Sequence, residues 1–364
     1  MRQFRKATIK DVAARSGVST TTVSNFVSGN MNVCSQETAE RIREAITALQ
    51  YVPSSLTRGL RQRAARTIGV CLPNPLDPDV SFGYSFLARI WRGVVQAADQ
   101  ADYALLHYPA SVRTSESGSV FLDGRVDGLL LSAGDNARAE QIAAAGMPTV
   151  LLTQSLDIPE GCGAVWADET DTLELALDHL WRLGHRRIAC IAGPVGSRAG
   201  REHARNRPAA DIAVRRLDAY ITWMRAHVAY APSLVAFAQS WSAPQAGEYL
   251  SAWRAQPDAP TAVVCANDAQ ALNVITAAQF GGLTAPKDLS VVGVDNSPEA
   301  YEARPGLTTV DVPLEAIGSE AVQALMRLFA GASVEQCRVA IPVTELLVRG
   351  STAQAQSEES AGLR

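Results

Sequence analysis

From Thr67 onward the chain alternates short apolar, β-rich runs with helical stretches, and it does so twice. The runs IGVCL, ALLHY, DGLLL, TVLL and AVW alternate with helical segments at 86–100, 136–145 and 170–183. RIACIA, LVAF, AVVCA and LSVVGV then alternate with 213–227, 244–254 and 268–281. Runs this apolar predict strands buried on both faces, as in a parallel sheet covered by helices. The rhythm predicts two doubly wound α/β lobes placed side by side. Such sheets bind ligands at the carboxyl ends of their strands, which puts a cleft between the lobes. With 364 residues the chain has room for that core and for a smaller domain as well.

The smaller domain lies ahead of the lobes. Residues 8–29 read TIKDVAARSGVSTTTVSNFVSG, two short helices around a tight turn. Thr8 is a good N-cap, and Asp11 places a carboxylate in the first turn, where it complements the helix dipole. Gly17 marks a turn that needs positive φ, and Ser19 caps a second helix running to about Val27. Ile9, Ala13, Gly17 and Val23 fall where a helix-turn-helix needs an apolar anchor, a small crossing residue, a turn residue and a buried β-branched residue. With Val23 and Val27 inward, Thr20, Thr21 and Asn25 face outward. Asn pairs bidentately with adenine, and Thr offers its methyl to thymine. Ser35 caps a third helix, with Ala39, Ile42, Ile46 and Leu49 at helical spacing.

Residues 54–66 follow Pro53 and carry Arg58, Arg61, Arg63 and Arg66 around an isolated Leu60. A helix of one or two turns is not stable alone in water. The segment is either a plain basic linker or a hinge that folds on DNA, with Leu60 wedged into the minor groove and the arginines on phosphate. Charge supports a nucleic-acid role. Residues 1–66 carry 11 Lys and Arg against 4 Asp and Glu, a net of +7, whereas the rest carries 22 against 33, a net of −11. A basic end on an acidic body fits a protein that touches DNA with that end.

Together KDVAARSGVSTTTVSNFVSG, YVPSSLTRGLR, TIGVCLP, VWADETDTLELALDHLWRLGHRRIACIAGP, WSAPQAG, AVVCANDAQAL, DLSVVGVDN and LTTVDVPLEAIGSEAV resemble the LacI/GalR family of bacterial transcription regulators, in the family's order. The resemblance implies a periplasmic-binding-protein-like core whose chain crosses between lobes three times. It implies DNA contacts at Thr8, Ser19, Thr20, Thr21, Thr22, Ser24, Asn25, Tyr51, Arg58, Leu60 and Arg61. It implies effector contacts at Phe86, Asp168, Arg216, Trp241, Asn267 and Asp295. A carboxylate and a guanidinium supply acceptor-only and donor-only groups, which orient a polyol well. Asp268 is read as a helix N-cap, and Trp241 equally as a sugar-stacking or an ordinary core residue. The chain departs from the family at several places. Loop 73–93 is longer than usual, and 195–215 is long and basic, which reads as a solvated surface loop. Asp168 is followed by Glu169 where the family has Asp-Asn, and Thr172 stands where glycine is usual.

No catalytic constellation is visible. His179 and His185 lie in a helix and its following turn with no paired nucleophile, and no GxSxG, P-loop or HExxH run occurs. The six cysteines are scattered without a CxxC pair, which suggests buried small hydrophobes in a reducing cytoplasm rather than a metal site or disulfides. No apolar run reaches membrane-spanning length, and MRQFRKATIK lacks the apolar core of a signal peptide. The expected organisation is a helix-turn-helix headpiece at 8–53, a hinge at 54–66, a two-lobed effector-binding and dimerisation core at 67–352, and a disordered tail at 353–364 without leucine heptads. The expected function is a cytoplasmic repressor without cofactor or metal. As a homodimer it would bind pseudo-palindromic double-stranded operator DNA under control of a small-molecule effector, a sugar or related metabolite. The alternative is an enzyme acting on such a metabolite and carrying a DNA-binding head.

Overall fold

The computed structural model describes residues 7–27, 34–49, 51, 64–72, 84–109, 118–132, 136–153, 155, 157–168, 172–194, 208–228 and 230–356. It divides into two compact units. One holds the amino-terminal helices and the short segment Asp123–Asp127, and the other holds both sheets.

In the first unit, α1 (Ile9–Ser16), α2 (Thr20–Val27) and α3 (Gln36–Leu49) form the three helices read from the sequence. Thr8 closes a full capping box. Its side chain accepts from the Asp11 amide, and the Asp11 carboxylate accepts from the Thr8 amide at 2.8 Å. Gly17 ends α1 in the left-handed region at φ 69°, which a side chain would resist. Ser19 caps α2 by accepting from the Thr22 amide at 3.1 Å, and Ser35 does the same for Thr38 at 3.3 Å. Val12, Ala13, Val23, Ile42 and Ala45 make the buried centre. Ile46 and Leu49, expected inside, only flank it; Ile42 is the innermost residue of α3, with Ala45 buried beside it.

The second unit has two six-stranded sheets. The first lobe is built on β1 (Thr67–Cys71), β2 (Ala104–His107), β3 (Gly128–Ser132), β4 (Thr149–Leu152), β5 (Gly163–Asp168) and β11 (Arg338–Pro342), in the order β11-β5-β4-β3-β1-β2. The second is built on β6 (Ile188–Ala192), β7 (Val235–Phe237), β8 (Ala262–Cys265), β9 (Ser290–Val294), β10 (Thr308–Asp311) and β12 (Glu345–Leu347), in the order β12-β10-β9-β8-β6-β7. From β6 to β10 the neighbours run parallel, and only β12 lies antiparallel on β10. The chain leaves the first lobe after Asp168, returns after Asp311, and leaves again between β11 and β12. These are the three crossings expected of the core.

Helices α4 (Tyr84–Gln100) and α5 (Asn136–Ala144) belong to the first lobe. α6 (Thr172–Arg182), α7 (Pro208–His227), α8 (Ala246–Arg254), α9 (Asp268–Phe280) and α10 (Pro298–Glu302) belong to the second. α11 (Leu314–Phe329) returns to the first lobe and packs on α4. The two helices meet backbone to backbone. A methyl group on Gly93 would overlap the Glu315 carbonyl, and one on Gly318 the Ile90 carbonyl. One apolar cluster runs from Ile68, Val70 and Leu130 of the first sheet to Cys190, Val264 and Val292 of the second. The opposite face of the second sheet, with Ala189, Ile191, Val263 and Val291, faces a separate cluster. Five of the six cysteines are buried, as their apolar flanks suggested; burial pushes the Cys162 thiol up to about 11.

The described chain runs four residues into the segment expected as a disordered tail. His179 bonds Thr352 at 2.9 Å, and the His185 ring meets Thr261 at 2.8 Å, Ser290 at 3.1 Å and the Ala353 carbonyl at 3.0 Å. The Ala355 amide donates to Leu183 at 2.8 Å and the Gln356 side chain to Lys287 at 2.9 Å. Backbone hydrogen bonds hold residues that composition alone marks as loose.

Candidate functional site

The sequence places function at two sites, and each belongs to one unit. On the headpiece, Val23 turns inward and is fully buried, so the opposite side of α2 faces out. Thr20 and Thr21 are exposed, and Ser24 and Asn25 are half-buried beside them. Ser19 and Thr22 are exposed or partly so, but their hydroxyls lie 2.9 Å apart and serve each other at the helix start. Thr8 is likewise committed to its capping box, and Tyr51 packs against the headpiece centre. Among the expected DNA contacts these residues have local structural work of their own, whereas Thr20 and Thr21 do not share it. Arg58, Leu60 and Arg61 lie outside the described residues.

In the core, Asp168, Asn267 and Asp295 stand at or just beyond the carboxyl ends of β5, β8 and β9, while Phe86 lies on α4, Arg216 on α7 and Trp241 beyond β7. Arg216 of α7 is 1% exposed. Its guanidinium donates to the Ala266 carbonyl beyond β8 and, at 3.4 Å through both terminal nitrogens, to the Asp295 carboxylate. The donor and acceptor expected to orient a ligand therefore meet each other. Asp295 and Asn296 have φ of 106° and 51°, both in the left-handed region. Non-glycine residues persist there only where the surroundings hold them.

The N-cap falls one residue earlier than expected. Asn267, expected at the effector, is the N-cap of α9: its side chain accepts from the Gln270 amide at 2.9 Å and it is 3% exposed. Asp268, expected as that cap, sits one residue into the helix and points at the neighbouring strand end. It accepts from the Ser297 amide at 2.6 Å and the Thr309 hydroxyl at 2.5 Å. Burial raises its carboxyl to about 6 against these hydrogen bonds. Sequence spacing could not separate the two, because either residue caps a helix well. Trp241 is buried, with its ring edge against the backbone of Gly193, in the setting of a core residue. Asp168 is half-buried at the end of β5, opposite Pro342.

Phe86 lines a cleft between the lobes together with Trp166, Ile212, Val312, Leu314 and Ile317; Thr153, Ser155 and Arg215 add the polar edge. The space between these walls holds little more than a water molecule. Of the two expected long loops, 73–93 and 195–215, the structure makes 84–93 the start of α4 and 208–215 the start of α7, and 73–83 and 195–207 lie outside the described residues.

Four residues of this region escaped the sequence reading. Arg89 of α4 donates to the Asp295 carbonyl at 2.5 Å and to Asp311 at 3.3 Å. Asp311 also accepts from Asn296 at 3.2 Å, and Asn296 accepts from Arg349 at 2.7 Å. One signal was available. Arg89 stands on the apolar stripe of Phe86, Ile90, Gly93 and Ala97, and a charge on a buried stripe needs a partner. Among the described residues no cluster of His, Cys, Asp or Glu could hold a metal ion, and no helix is long and apolar enough to cross a membrane.

Comparison with known proteins covers both sites. Residues 8–54 match the model of bacterial regulatory proteins, lacI family. Residues 65–225 match periplasmic binding proteins and sugar binding domain of LacI family, and 177–352 the periplasmic binding protein-like domain. The HTH-type transcriptional repressor PurR of Aliivibrio fischeri (strain ATCC 700601 / ES114) is 31% identical over 336 residues, covering 88% of this chain and 91% of the relative. The HTH-type transcriptional repressor CytR of Escherichia coli (strain K12) is 28% identical over 360 residues, covering 96% and 98%. Among solved structures, the lac repressor dimer bound to operator and the anti-inducer ONPF superposes with a TM-score of 0.74 at 25% identity, covering 96% of this chain and all of that one. A CelR–cellobiose complex gives 0.65 at 27% identity, covering 95% and 99%.

Proposed function

The chain belongs to the lacI family of bacterial regulatory proteins, and from that premise we propose that it is a cytoplasmic repressor whose grip on operator DNA is set by a small molecule in the interlobe cleft. That it is a DNA-binding regulator with a periplasmic-binding-protein-like effector domain follows from the family, and its relatives are transcriptional repressors, not enzymes. The proposal adds residues, stoichiometry and ligand. Two headpieces, residues 8–53 of each subunit, occupy the halves of a pseudo-palindrome, because a twofold dimer matches a twofold site. Thr20, Thr21 and Asn25 read base edges. Thr8, Ser19, Thr22, Ser24 and Tyr51 hold or flank that surface and meet the sugar-phosphate backbone. Residues 54–66 form the hinge, where Leu60 opens a central step and Arg58 and Arg61 meet phosphate. Residues 67–352 form the effector and dimer core.

The observation that carries the reading is the headpiece itself. A capped helix, a left-handed glycine and a second helix with its polar side exposed stand on their own small core. The effector belongs at Phe86, Asp168, Arg216 and Asp295, at the strand ends, with Asn267 and Trp241 shaping the site behind them. The solved relative bound to cellobiose supports a sugar or related metabolite. The test is selection of bound duplexes from a random DNA pool, followed by titration at several salt concentrations. The expected result is one enriched pseudo-palindrome bound at least about 10³-fold tighter than random DNA. Its affinity should fall linearly on a log–log salt plot. No enriched sequence, with equal affinity for all duplexes, rejects the proposal.

A further inference from the structure

Arg89 connects the two lobes at the most constrained point of the effector region. It stands on α4, in the first lobe, with 17% of its side chain exposed. Its partners lie on the far side of the cleft: the carbonyl of Asp295, at the end of β9, and the carboxylate of Asp311, at the end of β10. Its third nitrogen is 3.7 Å from Glu315, on the helix that follows Asp311 back into the first lobe. A guanidinium is a planar fork, so these contacts fix its orientation together.

The Asp295–Asn296 turn is held in its left-handed conformation from several directions. The Asp295 amide donates to Val310 at 2.9 Å, the Asn296 amide to the Thr309 hydroxyl at 3.3 Å, and the Asn296 side chain to Asp311 at 3.2 Å. Those partners all belong to the second lobe, whereas Arg89 reaches the same turn from the first. The Asp295 carboxylate, in turn, is the partner of Arg216. One residue thus has its backbone oxygen on the first lobe and its side chain on the effector-side arginine.

We infer that Arg89 is a positioning residue that ties the Asp295–Asn296 turn to the opposite lobe, so that opening the cleft and releasing that turn are one event. An effector held between Phe86 of α4 and Val312 beyond β10 lies where the two lobes face each other, and its entry parts them. Parting them moves α4 away from β9 and breaks the Arg89 bonds. The effector's presence then registers at Asp295 through a contact it need not touch. That is a differential interaction between two states, which coupling requires. The inference rests on reading the cleft as the effector site, but the tie itself is tested without DNA or effector.

The test compares full-length wild type with Arg89→Met, which keeps the stem and removes the donors, with Arg89→Lys, which keeps the charge and loses the fork, and with Arg92→Met. Arg92 is the control: it is 70% exposed and pairs with Glu315 at 3.1 Å, inside the first lobe. Amide hydrogen exchange is followed by mass spectrometry in peptides covering 292–298 and, as reference, β4. The expected result is exchange at 292–298 about tenfold or more faster in Arg89→Met, an intermediate rate in Arg89→Lys, and no change in Arg92→Met or in β4. Small-angle scattering should show a larger radius of gyration for Arg89→Met alone. Unchanged exchange at 292–298, or a rise shared equally by β4, overturns the inference. A freed turn in Arg89→Met, in a protein that no sugar, sugar phosphate or nucleobase stabilises in a thermal screen, upholds the tie and counts against the effector reading instead.

Discussion

The headpiece and the cleft both present polar side chains at positions a sequence can mark, yet they use them in opposite ways. On α2 the polar residues stay at the surface, because one buried valine in eight residues orients the whole helix. At the strand ends of the core, polar residues are consumed by the fold. Arg216 and Asp295 pair with each other, Asn267 caps a helix, and Asp268 braces β10. A recognition surface made from outward residues can change without disturbing its scaffold. A site made from satisfied buried groups cannot, so mutation there reports on stability first and on binding second.

The sharpest way to break this contrast is Arg216→Ala. It leaves the Asp295 carboxylate buried beside an unpaired carbonyl, and removing one partner of a buried pair costs about 3–5 kcal/mol. Urea unfolding of the full chain should lose that much in its core transition. A loss under 1 kcal/mol would place Arg216 with the surface residues and erase the distinction. The next effect depends on pH. Burial holds the His185 and His179 rings below their ordinary pKa. A depressed histidine favours the native state above its unfolded pKa, and this contribution is lost as pH falls from there through the folded value. Asp268 acts in the opposite sense. Its carboxyl is raised to about 6, so its contribution is present below the ordinary carboxylate value and lost as pH rises through about 6. Core stability measured at pH 7.5 and 5.5 should fall more steeply with acid in Asp268→Asn, and less steeply in His185→Gln, than in wild type. The same slope in all three would show that these groups are not linked to folding.

The headpiece should yield smaller numbers. Thr8→Ala removes the capping box and should cost about 1 kcal/mol of headpiece stability, read by far-ultraviolet circular dichroism on heating. An unchanged melting curve would mean that the box is ornamental. Thr21→Ala should leave stability within about 0.5 kcal/mol, since the side chain is exposed. It should nonetheless alter the duplexes enriched from a random pool. An identical enriched sequence would remove Thr21 from the reading surface.

These differences also explain what the sequence made legible. Strand and helix order were readable from Ile68 to Val294, because runs such as IACIA are buried on both faces and leave little alternative. The cap at Thr8 and the turn at Gly17 were readable because both act within four residues of themselves. That Asn267 and not Asp268 caps α9 was not, since it depends on which side chain meets Thr309, 41 residues away. Arg89 was missed for the same reason at greater range: Asp295 is 206 residues downstream. Periodicity reports which way a residue points and says nothing of the partner waiting there.

The late return of the chain to its first lobe has a consequence for synthesis. β5 finds one neighbour, β11, only after some 170 further residues have been made. At about 5–20 residues per second, that leaves its edge uncovered for roughly 10–35 seconds. The backbone-to-backbone seat that α4 keeps for α11 is empty for longer still, because α4 is complete well before β5. Until residue 342 leaves the ribosome, the edge of the first sheet is β5, an apolar strand buried in the finished fold, rather than the half-buried β11 that ends up there. A message cut short before that point would release a first lobe equipped to aggregate.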